Sequence, residues 1–420
     1  MEHLENLKPI SEQYSIINDN LTFKLVSQTP IHKLYNKMPI LFYLIEKMTT
    51  KNKYDFIRSL KITQEQVIFH DFFIHYKTMN RQSFIKFINN YGDKLTYFIY
   101  NETNYKHLIK NLKHYSDHKY TDDELSLYGH FVSCEIQNEF EINKYTKYKF
   151  QINYENIEFY ITIYSKKSIN IKKLRRWATL CLLLKVIHKS KINVNIYLFL
   201  INKNKKLNIT QNYRSLGVNN INSAYTYNIS FYNSKVCIFR EEELEKVLLH
   251  EMVHALQLDT KHLSHVTIMS KSFNISPEQH IILNEAYTEI WAVIYNCLLK
   301  SLYEHNPSFK ENVKIELELT LKQNAKILTY FGFSDILEFN KRYDGLNRFN
   351  QTTSVFSYFF VKGALLFQLE KFLSLDTTTN RHKITSDVLI EFCKNKQYLE
   401  QIDSYMKKKD LSRSLRMTIL

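Results

Sequence analysis

The chain has 420 residues, 44% of them apolar and 24% charged, with a formal net charge of +15. That length and balance suit a folded chain of two or three ordinary domains, each with its own core. Its six glycines (Gly92, Gly129, Gly217, Gly332, Gly345, Gly363) stand far apart, which excludes the clustered glycines of a dinucleotide fingerprint or a P-loop.

Three of the five prolines (Pro9, Pro30, Pro39) fall early. From there to about residue 125 the pattern is mostly helical, as in "MPILFYLIEKMTT" and "DKLTYFIYNETNYKHLIKNLKHY". This predicts an N-terminal helical region over 1–125, in which no chemistry is visible. The period then changes. "GHFVSCEIQNEFEI" and "YKFQINYENIEFYITIYS" alternate apolar with polar, and "NYEN" supplies the turn of a hairpin. "INIKKLRRWATLCLLLKVIHKSK" predicts an amphipathic helix capped by Asn170. "INVNIYLFLIN" predicts a buried strand, with "SAYTYNISFYN" and "SKVCIFR" as further strands. "EEELEKVLLHEMVHALQL" then reads as a strong helix whose acidic first turn suits the helix dipole.

Residues 126–275 thus form a sheet-containing subdomain. In "SPEQHIILNEAYTEIWAVIYNCLLK" a helix is predicted from Pro277 with Ser276 as its cap. The rest of 276–400 is helical, and 401–420 is a basic, loosely ordered tail. The fold class expected is α+β and mostly helical: a small mixed sheet and the "HEMVH" helix, packed on a helical C-terminal subdomain.

In "HEMVH" the two histidines are four apart, so on a helix His250 and His254 share a face and reach one metal ion, with Glu251 pointing towards the same cavity. Val247, Leu248, Met252, Val253 and Leu256 already supply the apolar faces of this helix. Two histidines and a glutamate are poor core material without a task. A catalytic zinc needs a third protein ligand and leaves a fourth position to water. The pattern HExxHxxGxxH fails as its source, because Gln257 replaces the glycine and Thr260 the last histidine. Asp259 is one residue out of register, and His262 and His265 fit no third-ligand spacing. "NEAYTE", residues 284–289, offers Glu285 on a following antiparallel helix. Glu289, one turn on, can accept the free ring N–H of a liganding histidine.

"HEMVH" with "NEAYTE" resembles the gluzincin zinc metallopeptidases, the clan of thermolysin and the zinc aminopeptidases. The resemblance covers about residues 150–375 and is specific at those two motifs. It implies zinc held by His250, His254 and Glu285, with Glu251 as general base and Glu289 behind the ligands. It also implies a substrate edge strand. "NNINSAYTY" lies at the right distance before the first histidine, with Asn222, Ala224 and Tyr225 as its residues, and lacks the glutamate by which aminopeptidases hold a free amine. "FFVKGALLFQLEKF" is similar to the aminopeptidase YxKG segment, whose tyrosine stabilises the oxyanion. Here Phe360 occupies that position. Tyr358 is the nearest substitute, although two residues along an α-helix turn a side chain well away, and an aromatic core stripe is the other reading of it. His280 is a second candidate. The Lys/Asn/Ile-rich composition is similar to that of metallopeptidase-like chains of large DNA viruses.

The five cysteines (Cys134, Cys181, Cys237, Cys297, Cys393) are odd in number and form no CxxC pair, which suits a reducing compartment. The first residues lack a signal peptide's pattern, and the longest apolar run, "WATLCLLLKVI", is too short to span a bilayer. The location expected is cytoplasmic: host cytoplasm or virion, for a viral chain. The basic charge suggests an acidic partner or nucleic acid, although lysines are spread along the whole chain. The function expected is a zinc-dependent peptidase acting on protein or peptide. The alternatives are an inactive metallopeptidase-like binding protein with a basic docking surface, and a zinc hydrolase of non-peptide amides.

Overall fold

The computed structural model describes residues 109–115, 131–142, 145–154, 157–188, 190–207, 214–259, 269–279, 281–304, 309–375, 384–408 and 412–419. The expected N-terminal helical region lies outside these residues except at its end, where it is corrected: Ile109–Tyr115 is a strand, β1. It pairs antiparallel with β2, Thr146–Tyr154. Seven residues are too few for period alone to separate helix from strand, and the ladder to β2 gives their backbone its partners. The sheet therefore begins before residue 126.

The predicted hairpin is present: β2 runs antiparallel to β3, Ile157–Ser165, with Tyr154 opposite Ile157. "GHFVSCEIQNEFEI" is corrected from strand to helix. Cys134–Ile142 forms α1, with the Ser133 hydroxyl accepting from the Ile136 N–H as an N-cap. Its buried residues, Ile136 and Phe140, are four apart and so share a helical face. The segment's alternation and its helical period coincide over so short a stretch. α2, Ile171–Ile187, follows with Asn170 accepting from Lys173 at its start, as expected.

β4 (Asn193–Phe199) and β6 (Asn233–Ile238) run parallel to each other and β4 to β3, while β5 (Ala224–Ser230) lies antiparallel to β6. The strand order is β1-β2-β3-β4-β6-β5, so the sheet is mixed and β5 is an edge. Val194, Ile196 and Leu198 of β4 face the main core, and Phe199 faces a smaller cluster with Ile136 and Phe140 of α1. That alternation is the pleat at work.

β6 leads into α3, Leu244–Ala255, which packs on β5, β6 and α2 on one side. On its other side it meets α4, Asn284–Glu304, which in turn packs on α5, Phe309–Tyr330. One continuous core runs from Phe150 of the sheet through Met252 and Trp291 to Leu415. The expected boundary at 275/276 does not interrupt it.

Three further expectations are corrected. The helix predicted from Pro277 begins at Asn284. Residues 276–279 make their own turn, closed from the Gln279 N–H to the Ser276 carbonyl, and the Gln279 side chain accepts from the Gln351 N–H. Ile281 and Leu283 are drawn into the core before the helix starts. The acidic stretch Glu241–Glu243 precedes α3, and Glu243 turns its carboxylate inward onto Lys205. Lastly, the tail is ordered where described: α6, Lys396–Met406, packs on α5, and Ser412–Ile419 lies against the body with Leu415 and Thr418 fully buried. No described helix is long and apolar enough to cross a membrane.

Candidate metal centre

α3 places His250, Glu251 and His254 where it passes between β5 and α4. Both imidazoles turn Nε2 towards Glu285 Oε2 of α4, at 3.3 Å from His250 and 3.4 Å from His254. Metal–ligand bonds of about 2.0–2.2 Å in a tetrahedral shell separate neighbouring donor atoms by about 3.3–3.6 Å. Both distances stand near the spacing that a zinc ion imposes, and the three donors all lie within 4.8 Å of one another. Among the described residues this is the one group of three metal-ligating side chains so brought together.

The other ring nitrogens are tied off. His250 Nδ1 donates to Glu289 Oε2 at 2.9 Å, and His254 Nδ1 donates to Asp259 Oδ2 at 3.0 Å. A carboxylate can only accept, so each ring holds a proton on Nδ1, and a ring that gives up its Nε2 proton offers that lone pair to the centre. Glu289 therefore sits where the sequence reading has it. Asp259, set aside there as a third ligand out of register, orients the second histidine instead.

How Asp259 gets there is a matter of helix ending. Gln257 has φ of 55°, the Leu258 N–H bonds to the Val253 carbonyl and the Gln257 N–H to that of His254. This is a Schellman stop with a left-handed residue after the cap, and it folds the chain back beneath His254. Left-handed backbone costs a residue with a Cβ about 1–2 kcal/mol. Gln257→Gly is expected to raise stability by about 0.5 kcal/mol once the glycine's greater unfolded-state freedom and the lost Gln257–Phe231 hydrogen bond are set against that relief. A urea midpoint that falls would show the side chain outweighing the strain.

Charge follows the same layout. Burial lowers the tendency of both imidazoles to protonate, but their carboxylate partners outweigh it, and the pKa of His254 in particular rises well above the ordinary value. Burial pushes Glu285 and Glu289 up, yet the histidines and, for Glu289, first of all Lys246 hold both below the usual carboxylate range. Glu251 behaves differently: burial dominates and raises it, against the pull of both histidines and a hydrogen bond from Thr226. A buried carboxylate inclined to take a proton thus stands beside three groups arranged for a cation.

No family model matches the chain, and no solved structure matches it. A stretch of 111 residues is 30% identical to a protein of Acanthamoeba polyphaga mimivirus described as "Uncharacterized protein R210". The match covers 24% of this chain and 28% of that protein. The function is therefore argued from the centre itself.

Thr226 of β5 was not singled out in the sequence. Its hydroxyl donates to Glu251 Oε2 at 2.7 Å and lies 3.1 Å from the Glu251 carbonyl. The signal was available, because in "AYTY" every second residue faces the same side: Ala224 and Thr226 towards α3, Tyr225 towards the small cluster with α1. Tyr225 stacks on Phe131 at 5.6 Å and belongs to the far side of the sheet. Asn222 lies in the loop before β5, accepts from the Thr353 hydroxyl and lines a small cavity with Ala224, His250, Glu251 and Tyr358. Arg240 fixes that loop by donating to the carbonyls of Asn222, Asn219 and Lys203.

Tyr358 reaches the centre for a reason the sequence period hides. Phe356–Val361 is a π-helical turn, which winds more slowly than an α-helix and so changes which residues face inward. Phe360 points into the core against Phe273, Phe339 and Tyr398. Tyr358 instead places its ring 5.9 Å from that of His250 and lines the cavity beside His250 and Glu251. Burial, with Glu285 and Glu251 nearby, keeps the Tyr358 hydroxyl firmly protonated. His280 lies outside the described residues.

The π-turn is held by Tyr398, whose hydroxyl donates to the Phe360 carbonyl at 2.6 Å and accepts from Asn324. Gly363 makes room for this: a Cβ there would stand 2.6 Å from the Tyr398 oxygen and 2.8 Å from Thr320 Cγ2. Gly363→Ala is expected to cost about 1–3 kcal/mol, the usual price of overpacking a filled core. A thermal melt checks this, and an unchanged midpoint would show that α6 can move aside.

Proposed function

We propose that the protein is a zinc-dependent peptidase that hydrolyses peptide bonds. The observation that carries this is the meeting of His250 Nε2, His254 Nε2 and Glu285 Oε2, each histidine oriented from behind by a carboxylate, with Glu251 alongside. Two imidazoles and one carboxylate with a fourth position open are the donor set of hydrolytic rather than structural zinc. The likeness of the two motifs to gluzincins points the same way.

Zinc bound there supplies a Lewis acid that makes water acidic near neutral pH and polarises a carbonyl. The residues do the rest. The substrate backbone lies along the outer edge of β5, whose N–H and C=O groups have no strand beyond them among the described residues. Glu251, oriented by Thr226, takes the proton of the attacking water and passes it to the leaving amine. The Tyr358 hydroxyl, kept protonated, donates to the carbonyl oxygen as negative charge develops there. Tyr358→Phe is expected to lower kcat by about 10²-fold or more with zinc content unchanged. A kcat within threefold of wild type would remove Tyr358 from this role.

The reading is tested by measuring zinc per chain in protein purified without chelators, then cleavage of a mixed peptide library followed by mass spectrometry. One zinc per chain, with cleavage that stops on chelation and returns with zinc, is the expected result. Protein that takes up no zinc would end this reading.

A further inference from the structure

The inward side of α3 carries a charge that the proposed reaction does not use. Lys246 stands one turn before His250 and is 2% exposed. Its ammonium pairs with Glu289 Oε1, while Glu289 Oε2 accepts from His250 Nδ1. Each oxygen of one carboxylate is thus committed, one to the lysine and one to the histidine. Lys246 Nζ also lies 3.5 Å from Met417 Sδ, and Met417 lines the same cavity as His250 and Glu251.

The segment behind it, Ser412–Ile419, is fastened at several points. The N–H groups of Met417 and Thr418 both donate to Glu243 Oε1 at 2.5 Å. Thr418 Oγ1 donates to Glu316, and Lys326 Nζ donates to Ser412 Oγ and to the Ser414 carbonyl. Glu243 holds its own backbone at φ 60°, a conformation that persists only where the surroundings over-determine it.

A buried ion pair contributes little to stability compared with apolar residues of the same size. Stability alone therefore gives no reason to keep a lysine here, whereas orientation of Glu289 does. We propose that Lys246 is a positioning residue for the metal centre: it fixes Glu289 so that His250 presents Nε2 to the ion. The segment Ser412–Ile419 is the strap that closes the wall behind it. This rests on the metal-binding reading above.

The test compares wild type with Lys246→Met, Lys326→Met, Glu289→Gln and the Lys246→Met/Glu289→Gln double variant. Zinc affinity is read by competition with a chromophoric chelator, the cobalt(II)-loaded protein by its visible absorption, and folding by circular dichroism. Lys246→Met is expected to keep its fold, weaken zinc binding by about 10–100-fold, and alter the cobalt spectrum. In the Glu289→Gln background the same change should add nothing. Lys326→Met, which loosens the strap far from Glu289, should lose stability and keep zinc affinity. Unchanged affinity in folded Lys246→Met overturns the proposal, as does an equal loss in Lys326→Met or a loss that multiplies with that of Glu289→Gln. If Lys246→Met does not fold, Lys246→Gln is read by the same criteria. Wild type that binds neither zinc nor cobalt would overturn the metal-binding reading itself, which separates the two failures.

Discussion

On the zinc-peptidase reading proposed above, Glu251→Gln is expected to bind zinc as wild type does and lose peptide hydrolysis by about 10²–10⁴-fold, the usual contribution of a positioned general base. The amide keeps the shape of the carboxylate and can still accept from Thr226, but it cannot take a proton from water. Because burial raises the Glu251 carboxyl, ionising it in place costs free energy. The neutral amide should therefore leave the melting temperature unchanged or higher, the usual sign of a group kept for chemistry rather than stability. Glu285→Ala should do the reverse. It removes a proposed ligand, so zinc affinity should fall by more than the roughly 10–100-fold expected for loss of an outer partner such as Glu289. Zinc content and peptide turnover, measured on both variants, decide the matter. A Glu251→Gln protein as active as wild type would remove Glu251 as the general base of the mechanism.

The second large effect lies beneath the centre. Lys205→Met is expected to destabilise the protein by about 3–5 kcal/mol, because it strands a buried carboxylate. Lys205 Nζ meets Glu243 Oε2 at 2.6 Å, and neither side chain is more than 1% exposed. Burial pushes Glu243 up, but Lys205, Lys246 and the hydrogen bonds from the C-terminal segment bring it below the ordinary value. The sign follows from that shift. The contribution of Glu243 is present above the unfolded carboxyl pKa and is lost as the pH falls through the lower folded value. In Lys205→Met the stranded group can escape its cost by protonating, so the gap to wild type should narrow as the pH falls from that group's raised value in the variant towards its lowered value in wild type. Urea denaturation at neutral and acid pH reads both effects. A gap of under about 1 kcal/mol at neutral pH, the worth of an exposed pair, would show that water reaches this pair.

Much of the centre was legible in the sequence because its grammar is local. His250 and His254 share a face through helical spacing alone, and the same spacing puts Glu289 one turn beyond Glu285. The hairpin of β2 and β3, the capped α2 and the buried β4 were legible for the same reason: apolar period and turn residues act over a few positions. The sequence by itself therefore determined which side chains are offered, and on which elements. What it could not determine depends on contacts between distant segments. Cys134–Ile142 and Ile109–Tyr115 are short enough to satisfy either period, so packing on the sheet and pairing with β2 chose for them. Asp259 reaches His254 only through the left-handed stop at Gln257, and Tyr358 reaches His250 only because the turn at Phe356–Val361 is π-helical and Tyr398 holds its carbonyl. The C-terminal segment looks like a loose basic tail until its N–H groups meet Glu243, which is 174 residues away from Met417 along the chain. Periodicity carries no information about such meetings. The tertiary structure decides them, since buried carboxylates, ammonium groups and backbone donors must find partners wherever the fold supplies them.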